Sequence, residues 1–234
     1  MRLGLRLLFA FFLITGLAGF FALQVFRSEV KPSAREVLED SLADSANLLA
    51  ERAAAELRAM PAGGTLQGSA FAQEVAAYRR RPVDAQIWGL HKRSLDLRIY
   101  VTDARGRVVL DSGLVPAAHG PGAAASSAVG ADYSRWRDVW LTLRGQYGAR
   151  ATRVTPGDDG SSVMYVAAPV RDGDRIIGVL TVGKPISSVQ GFIERSQRKI
   201  LKWGALLLGL SLLIGVVITW RMASTVNKLM VFVE

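Results

Sequence analysis

Residues 97–110 read Leu-Arg-Ile-Tyr-Val-Thr-Asp-Ala-Arg-Gly-Arg-Val-Val-Leu. From Leu97 to Thr102 the chain alternates with a period of two and is rich in β-branched and aromatic side chains, which fit a pleated surface. Asp103-Ala104-Arg105-Gly106 is turn chemistry, and Arg107 to Leu110 resumes the apolar run. The spacing predicts a strand–turn–strand hairpin. Asp103 and Asp111 flank it and are read as hydrogen bonders of the turn and the strand end rather than as a catalytic pair.

Working outward from the hairpin, residues 113–131 are rich in Ala, Gly, Ser and Pro and predict a loop. Asp132 to Gln146 returns to helical spacing. Gly148 to Val154 and Val163 to Val170 read as strands, Arg171-Asp172-Gly173-Asp174 as a second hairpin turn, and Ile176 to Val182 as the strand that follows. Ser187 to Lys202 predicts a helix. Upstream, Leu38, Leu42, Ser45, Leu49 and Ala53 recur at helical spacing in a stretch that begins near Val30, with Pro32 in its first turn and Pro61, Gly63 and Gly64 at its end. A shorter helix from Phe71 to Arg80 is stopped by Arg81-Pro82. The order predicts an α+β unit, one antiparallel sheet with long helices packed on it.

Two runs flank this unit. Leu7 to Phe26 carries no charge, and at about 1.5 Å per residue it matches the ~30 Å of a bilayer's hydrocarbon core. Trp203 to Trp220 is a second uncharged run, with tryptophans at both ends suited to the two interfaces. The first run is longer than the core of a cleaved signal peptide, and its weak small-x-small site, Gly16 and Ala18, lies inside it, which favours an uncleaved anchor. The expected division is a cytoplasmic tail at 1–6, membrane helices at 7–26 and 203–220, an extracytoplasmic domain at 27–202, and a stub at 221–234. A charge count does not orient it: Arg27, Lys31, Arg35, Arg195, Arg198, Lys199 and Lys202 flank the spans on the domain side. The short basic tail ahead of the first span favours the N-terminus inside.

Composition is consistent with that division. The chain of 234 residues has 50% hydrophobic residues and a mean hydropathy of +0.23. Its net charge of +9 divides into +6 within 27–202 and +3 in the tail and stub. A basic chain raises nucleic acid as a partner, but the excess sits in a domain bounded by two spans, so nucleic acid is not expected. Cys is absent and only His91 and His119 are present, which excludes thiolate chemistry and a His-rich metal site. The spans carry no ionisable residue, which argues against an ion path.

The segments LRIYVTDARGRVVLDS and VMYVAAPVRDGDRIIGVLTVGKP resemble the PAS-like, Cache-type extracytoplasmic sensor fold of bacterial receptors. VGADYSRWRDVWLTLRGQYGAR, followed by SSVMYVAAPV and IGVLTVGKP, resembles the periplasmic region of membrane sensor histidine kinases of two-component systems. The resemblance covers nearly the whole chain and departs near His119–Ser127. It implies a homodimer in the bacterial inner membrane with the sensor in the periplasm, an unidentified periplasmic signal, and a HAMP-like linker beginning at 221. It also implies a kinase core, with ATP, Mg and a cognate response regulator, that this chain does not contain. No cofactor is expected in the chain itself. A chemotaxis-receptor sensor and a membrane-anchored binding protein without signalling stand as alternatives.

Trp136, Trp140, Leu143 and Tyr147 fall on one face of the helix expected over 132–146. Two readings stand. The face packs on the sheet; or, with Tyr133, Arg137, Arg144 and Arg150, it presents guanidinium groups beside aromatic faces, a bidentate site for a carboxylate or phosphate. The fold resemblance places a ligand between such a helix and the sheet, and Tyr165 and Lys184 are then expected on the opposing wall. Because the helices beginning near Val30 and Ser187 join the spans almost without linkers, a small shift in the domain is expected to reach the stub.

Overall fold

The structure is a computed structural model that describes residues 2–87, 90–93, 95–113, 127–153, 157, 161–186, 201–218 and 220–221. The chain divides into two units, Met1–Ser33 with Phe192–Glu234, and Ala34–Gly191. Helix α1 (Arg2–Ala59) contributes to both. It is one assigned helix through Pro32, where a break between two helices was expected.

The first unit holds the N-terminal part of α1 and helix α4 (Leu201–Ile218). At a mean hydropathy of 2.2 over 18 residues, α4 is long and apolar enough to cross a membrane. In α1 the apolar stretch among the described residues is Phe11–Ala22. Gly215 is buried beneath the Phe11 ring, where an added Cβ would stand 2.8 Å from ring carbon, and Gly19 faces Leu208. Glycine at the contact lets the two backbones approach. The outer apolar side chains, Trp203 and Trp220 among them, are exposed.

In the second unit α1 buries Leu38, Leu42, Ala46, Ala50, Ala53, Ala54 and Leu57. The buried stripe is rotated from the expected one: Ser45 and Leu49 are only half-buried, and the small alanines face inward. Alanine brings the helix axis close to the sheet, so the tighter face wins over the bulkier one. Helix α2 (Ala70–Arg80) is capped by Ser69, whose hydroxyl accepts from Ala72 N at 3.1 Å, and it buries Phe71 and Val75. Arg52 reaches Glu74 across the two helices, and Glu56 accepts from Phe71 N at 3.0 Å.

Strands β1 (Ala85–Ile87) and β2 (Leu90–Lys92) form a small antiparallel ribbon that sequence periodicity did not reveal. Strands β3 (Arg98–Asp103), β4 (Val108–Asp111), β5 (Gly148–Arg153), β6 (Ser162–Asp172) and β7 (Arg175–Pro185) form one antiparallel sheet in the order β4-β3-β7-β6-β5. Both expected hairpins are present, the second closing over Gly173 in the left-handed region at φ 58°. The architecture is α+β, an antiparallel sheet flanked by helices, as expected.

The helix expected over 132–146 is only α3 (Arg137–Thr142). Asp132 accepts from Ser134 N in a tight turn before it, and Gly145, at φ 74°, ends the run after it. Residues 127–131 of the expected loop fold back on β4, with Val108 N bonded to Ala131 O at 2.9 Å and Gly130 N to Val108 O at 2.8 Å. The remainder of that loop (114–126), nearly all of the expected exit helix over 187–202 and all but the first residue of the stub at 221–234 lie outside the described residues.

Candidate functional site

The sheet has two covered faces. Ile99, Val101, Met164, Val166, Ala168, Val170, Leu180 and Val182 pack under α1 and α2. The alternate residues Tyr100, Val163, Tyr165, Ala167 and Val179 pack under Tyr133, Trp136 and Val139 of the α3 layer. Burial on both faces explains why Arg98, Tyr100 and Thr102, the outward half of the β3 alternation, are also buried.

The second face carries the aromatic and charged side chains. The Tyr133 and Trp136 rings are stacked at 3.5 Å, and Tyr100 meets both edge-on, at 5.3 and 6.4 Å between centroids. The Arg150 guanidinium lies between two rings, 4.1 Å from Trp136 and 4.2 Å from Tyr165. Its Nε donates to Asp138 Oδ1 at 2.9 Å, and its Nη1 to Thr152 Oγ1. Its Nη2 is buried with no hydrogen-bond partner among the described residues. Asp138, fully buried at the start of α3, also accepts the Tyr100 hydroxyl. Burial pushes the Tyr100 hydroxyl well above its ordinary pKa, and Asp138 pushes the same way against the opposing Arg150. Burial works against the Arg150 charge, but Asp138 and Tyr100 outweigh it and raise its pKa.

A second ion pair lies beside the first. Arg98 donates Nε to Asp111 Oδ1 and Nη2 to Asp111 Oδ2, both at 3.0 Å. Burial opposes the Arg98 charge, and the hydrogen bonds and charge of Asp111 more than restore it. Arg98 Nη2 also reaches Tyr133 Oη at 3.5 Å. The face is therefore an aromatic box around two internally neutralised arginines, with Arg150 Nη2 unpaired among the described residues.

Of the residues singled out in the sequence, the structure brings together Tyr133, Trp136, Arg150 and Tyr165. Arg137, Trp140, Arg144 and Tyr147 do not join them, because α3 ends at Thr142 and the helical stripe ends with it. Arg137 is exposed. Arg144 stacks on exposed Trp140 at 3.9 Å and donates to its carbonyl oxygen. Tyr147 points to the α1 side and donates to Glu39 Oε1 at 2.7 Å. Lys184 is not on the wall opposite Arg150: it pairs in register with Met164, on the α1 face, where burial and Lys92 lower its pKa. Gly183, its neighbour, lies under the Tyr165 ring.

Four participants were not singled out as site residues: Tyr100, Asp138, Arg98 and Asp111. Arg98 and Asp111 left no direct signal of their pairing: a register shift in the hairpin sets Asp111 opposite Tyr100, and Arg98 reaches it from two residues further along β3. Asp103 accepts from Arg105 N and Arg107 N, the turn role expected of it. Among the described residues no group of three or more His, Asp or Glu is placed to hold a metal.

Comparison with known proteins gives a similarity that runs along nearly the whole of this chain. The chain is 46% identical over 229 residues, 98% of its length, to Sensor protein CreC of Escherichia coli (strain K12), and aligns with the N-terminal part of it. It spans 45% of that relative's length. Among solved structures it is similar to the crystal structure of the V. cholerae histidine kinase DctB sensor domain, with 17% identity, a TM-score of 0.43, and coverage of 72% of this chain and 55% of that one. No family model matches the chain.

Proposed function

We propose, from the similarity to Sensor protein CreC, that this chain is the membrane-anchored sensor module of a two-component histidine kinase. The observation that carries the reading is 46% identity over 98% of the chain, an alignment long enough to take in the apolar segments as well as the sheet. In this reading 7–26 and 203–220 are both membrane helices, 27–202 is periplasmic, and 221–234 begins a HAMP-like linker. The module works as a homodimer. The kinase core with its ATP and Mg, and the response regulator it addresses, belong to the remainder of such a protein.

The proposed signal is a small anionic ligand, a carboxylate or a phosphate, taken at Arg150. Supporting this are the Nη2 donor, unpaired among the described residues, and the planar guanidinium held between Trp136 and Tyr165. A guanidinium fixed in this way loses little entropy on accepting an anion. Asp138 already neutralises it, so affinity has to come from the aromatic walls as well as from charge. The ligand shifts output only by its difference in affinity between two packings of the α3 layer on the sheet.

Two measurements test this reading. Residues 1–234 are joined to the part of E. coli CreC that follows its aligned segment, and autophosphorylation is followed in membrane vesicles. A chimera whose output responds to Arg150→Gln supports the reading, and output indifferent to every substitution in the aromatic box sinks it. Separately, the chain in detergent is titrated with acetate, succinate, citrate and inorganic phosphate. A ligand at a hundred times its Kd stabilises by about 2.7 kcal/mol, and no shift with any of the four rejects the anion.

A further inference from the structure

The edge strand β5 sends alternate side chains to opposite faces of the sheet, and both faces hold a polar contact. On one face Arg150 bonds Asp138 of α3 at 2.9 Å. On the other, Ala149 packs toward the α1 core, and Tyr147, of the same parity just before the strand, bonds Glu39 of α1 at 2.7 Å. Between them Gly148 has no room for a side chain: a Cβ there would overlap the Asp138 carbonyl oxygen and Thr142 Oγ1. The α3 backbone thus rests on β5 beside Tyr147. Backbone bonds wind the intervening turn tightly: Leu143 N to Val139 O, Arg144 N and Gln146 N to Leu141 O, and Gly145 N to Thr142 O, all between 2.9 and 3.0 Å. Among the described residues only β6 pairs with β5, so there the strand has one neighbour to restrain it.

We propose that β5 is a lever that passes a rearrangement of the α3 layer to α1, and that Tyr147 and Glu39 are positioning residues at its output end. The inference rests on the sensor reading and names the route by which that site reaches the helix. A shift of α3 moves Asp138 and the backbone seated on Gly148. The strand follows through Arg150, and Tyr147, anchored at its start, carries Glu39 with it. Glu39 stands between Leu38 and Leu42, which are buried in the core that α1 shares with the sheet. The displacement therefore enters α1 where the helix grips the domain.

The test is hydrogen exchange of the full chain in detergent, read on α1 residues 36–46. Asp138→Asn weakens the α3 contact from the far face, and it speeds exchange in this segment by about threefold or more, the scale of coupling between linked contacts. In a Tyr147→Phe background the same substitution leaves the segment nearly unchanged. Glu39→Gln, which keeps an acceptor for the tyrosine, preserves the response, and Glu39→Ala abolishes it. An equal response with and without the Tyr147 hydroxyl overturns the lever, as does a loosened α3 with no change in α1. If Asp138→Asn exposes β6 and β7 to exchange, Arg150→Lys serves as the perturbation with the same expectations. Exchange reads mechanical coupling without any kinase output, so failure here is separate from failure of the chimera.

Discussion

Asp111 gathers four donors onto one buried carboxylate: Nε and Nη2 of Arg98, both at 3.0 Å, and the backbone N–H groups of Gly113 and Ala128 at 3.0 and 2.9 Å. The chain leaves β4 at Gly113 and returns at Ala128, so a single side chain closes that excursion against the sheet. The return segment then supplies Tyr133 and Trp136 to the aromatic box. The Arg98–Asp111 pair is therefore a foundation of the box as well as a contact within the hairpin.

Asp111→Asn keeps the shape and leaves the Arg98 charge without its partner. With side-chain exposures of 8% and 0%, the pair is desolvated enough for the loss to reach about 3–5 kcal/mol. Arg98→Met combined with Asp111→Leu removes both charges and costs less than the single change. Thermal unfolding followed by circular dichroism checks this, and a single variant as stable as wild type would show that the pair is hydrated.

Gly148→Ala forces a methyl group into the Asp138 carbonyl and Thr142 hydroxyl. Neither backbone nor a packed α3 can yield by a small side-chain motion, so a loss of about 1–3 kcal/mol is expected, as for other overpacked contacts. Near-ultraviolet circular dichroism of the aromatic box is expected to weaken with it. Unchanged spectra and stability would mean that α3 is not seated on β5.

The hairpins were legible in the sequence because strand alternation and turn residues are local signals: Asp103 to Gly106 and Arg171 to Asp174 each carry their own turn chemistry. The α3 stripe was overread for a related reason. Trp136, Trp140, Leu143 and Tyr147 keep helical spacing, but Gly145 in the left-handed region ends the helix and turns Tyr147 to the other face. Lys184 and Tyr165 lie on strands adjacent in the sheet, and only their register, Met164 with Lys184 and Tyr165 with Gly183, reveals that they face opposite ways. Asp138 was invisible as a site residue because its role depends on Tyr100 and Arg150, partners distant in sequence. Pairwise burial of that kind leaves no periodic trace.

Lys184 gives a pH dependence of known sign. Its folded-state pKa is lowered by burial and by Lys92, so between that value and the ordinary 10.5 the unfolded chain binds the proton more readily than the native one. Stability attributable to this residue therefore rises with pH through that window, and below it the native state carries a constant penalty. Lys184→Met keeps the apolar stem and is expected to raise Tm at neutral pH, with the advantage shrinking as pH approaches 10.5. An advantage that grows with pH would reverse the assignment.

Ser69→Ala removes the acceptor that satisfies Ala72 N at the start of α2. A loss of about 1 kcal/mol is expected, while Ser69→Asp is nearly neutral because it restores an acceptor at a helix N-terminus. Denaturant midpoints of the three proteins order them. An alanine variant equal to wild type would show that α2 is held by Phe71 and Val75 alone.

Trp136 separates ring electrostatics from volume. It precedes α3 without a side-chain capping bond, so its substitution leaves the helix start intact. Its ring faces Arg150 on one side and stacks on Tyr133 at an interplanar angle of 12°. Trp136→Phe keeps an aromatic face toward the guanidinium, whereas Trp136→Leu keeps apolar bulk and discards the quadrupole. A desolvated cation–π contact is worth up to about 2 kcal/mol, so the leucine variant is expected to be the less stable by about 1 kcal/mol. Arg150→Met removes the cation, and in that background the two Trp136 variants should become equal in Tm. If the leucine–phenylalanine gap survives the loss of Arg150, it comes from packing on Tyr133, and the guanidinium is held by Asp138 rather than by the rings.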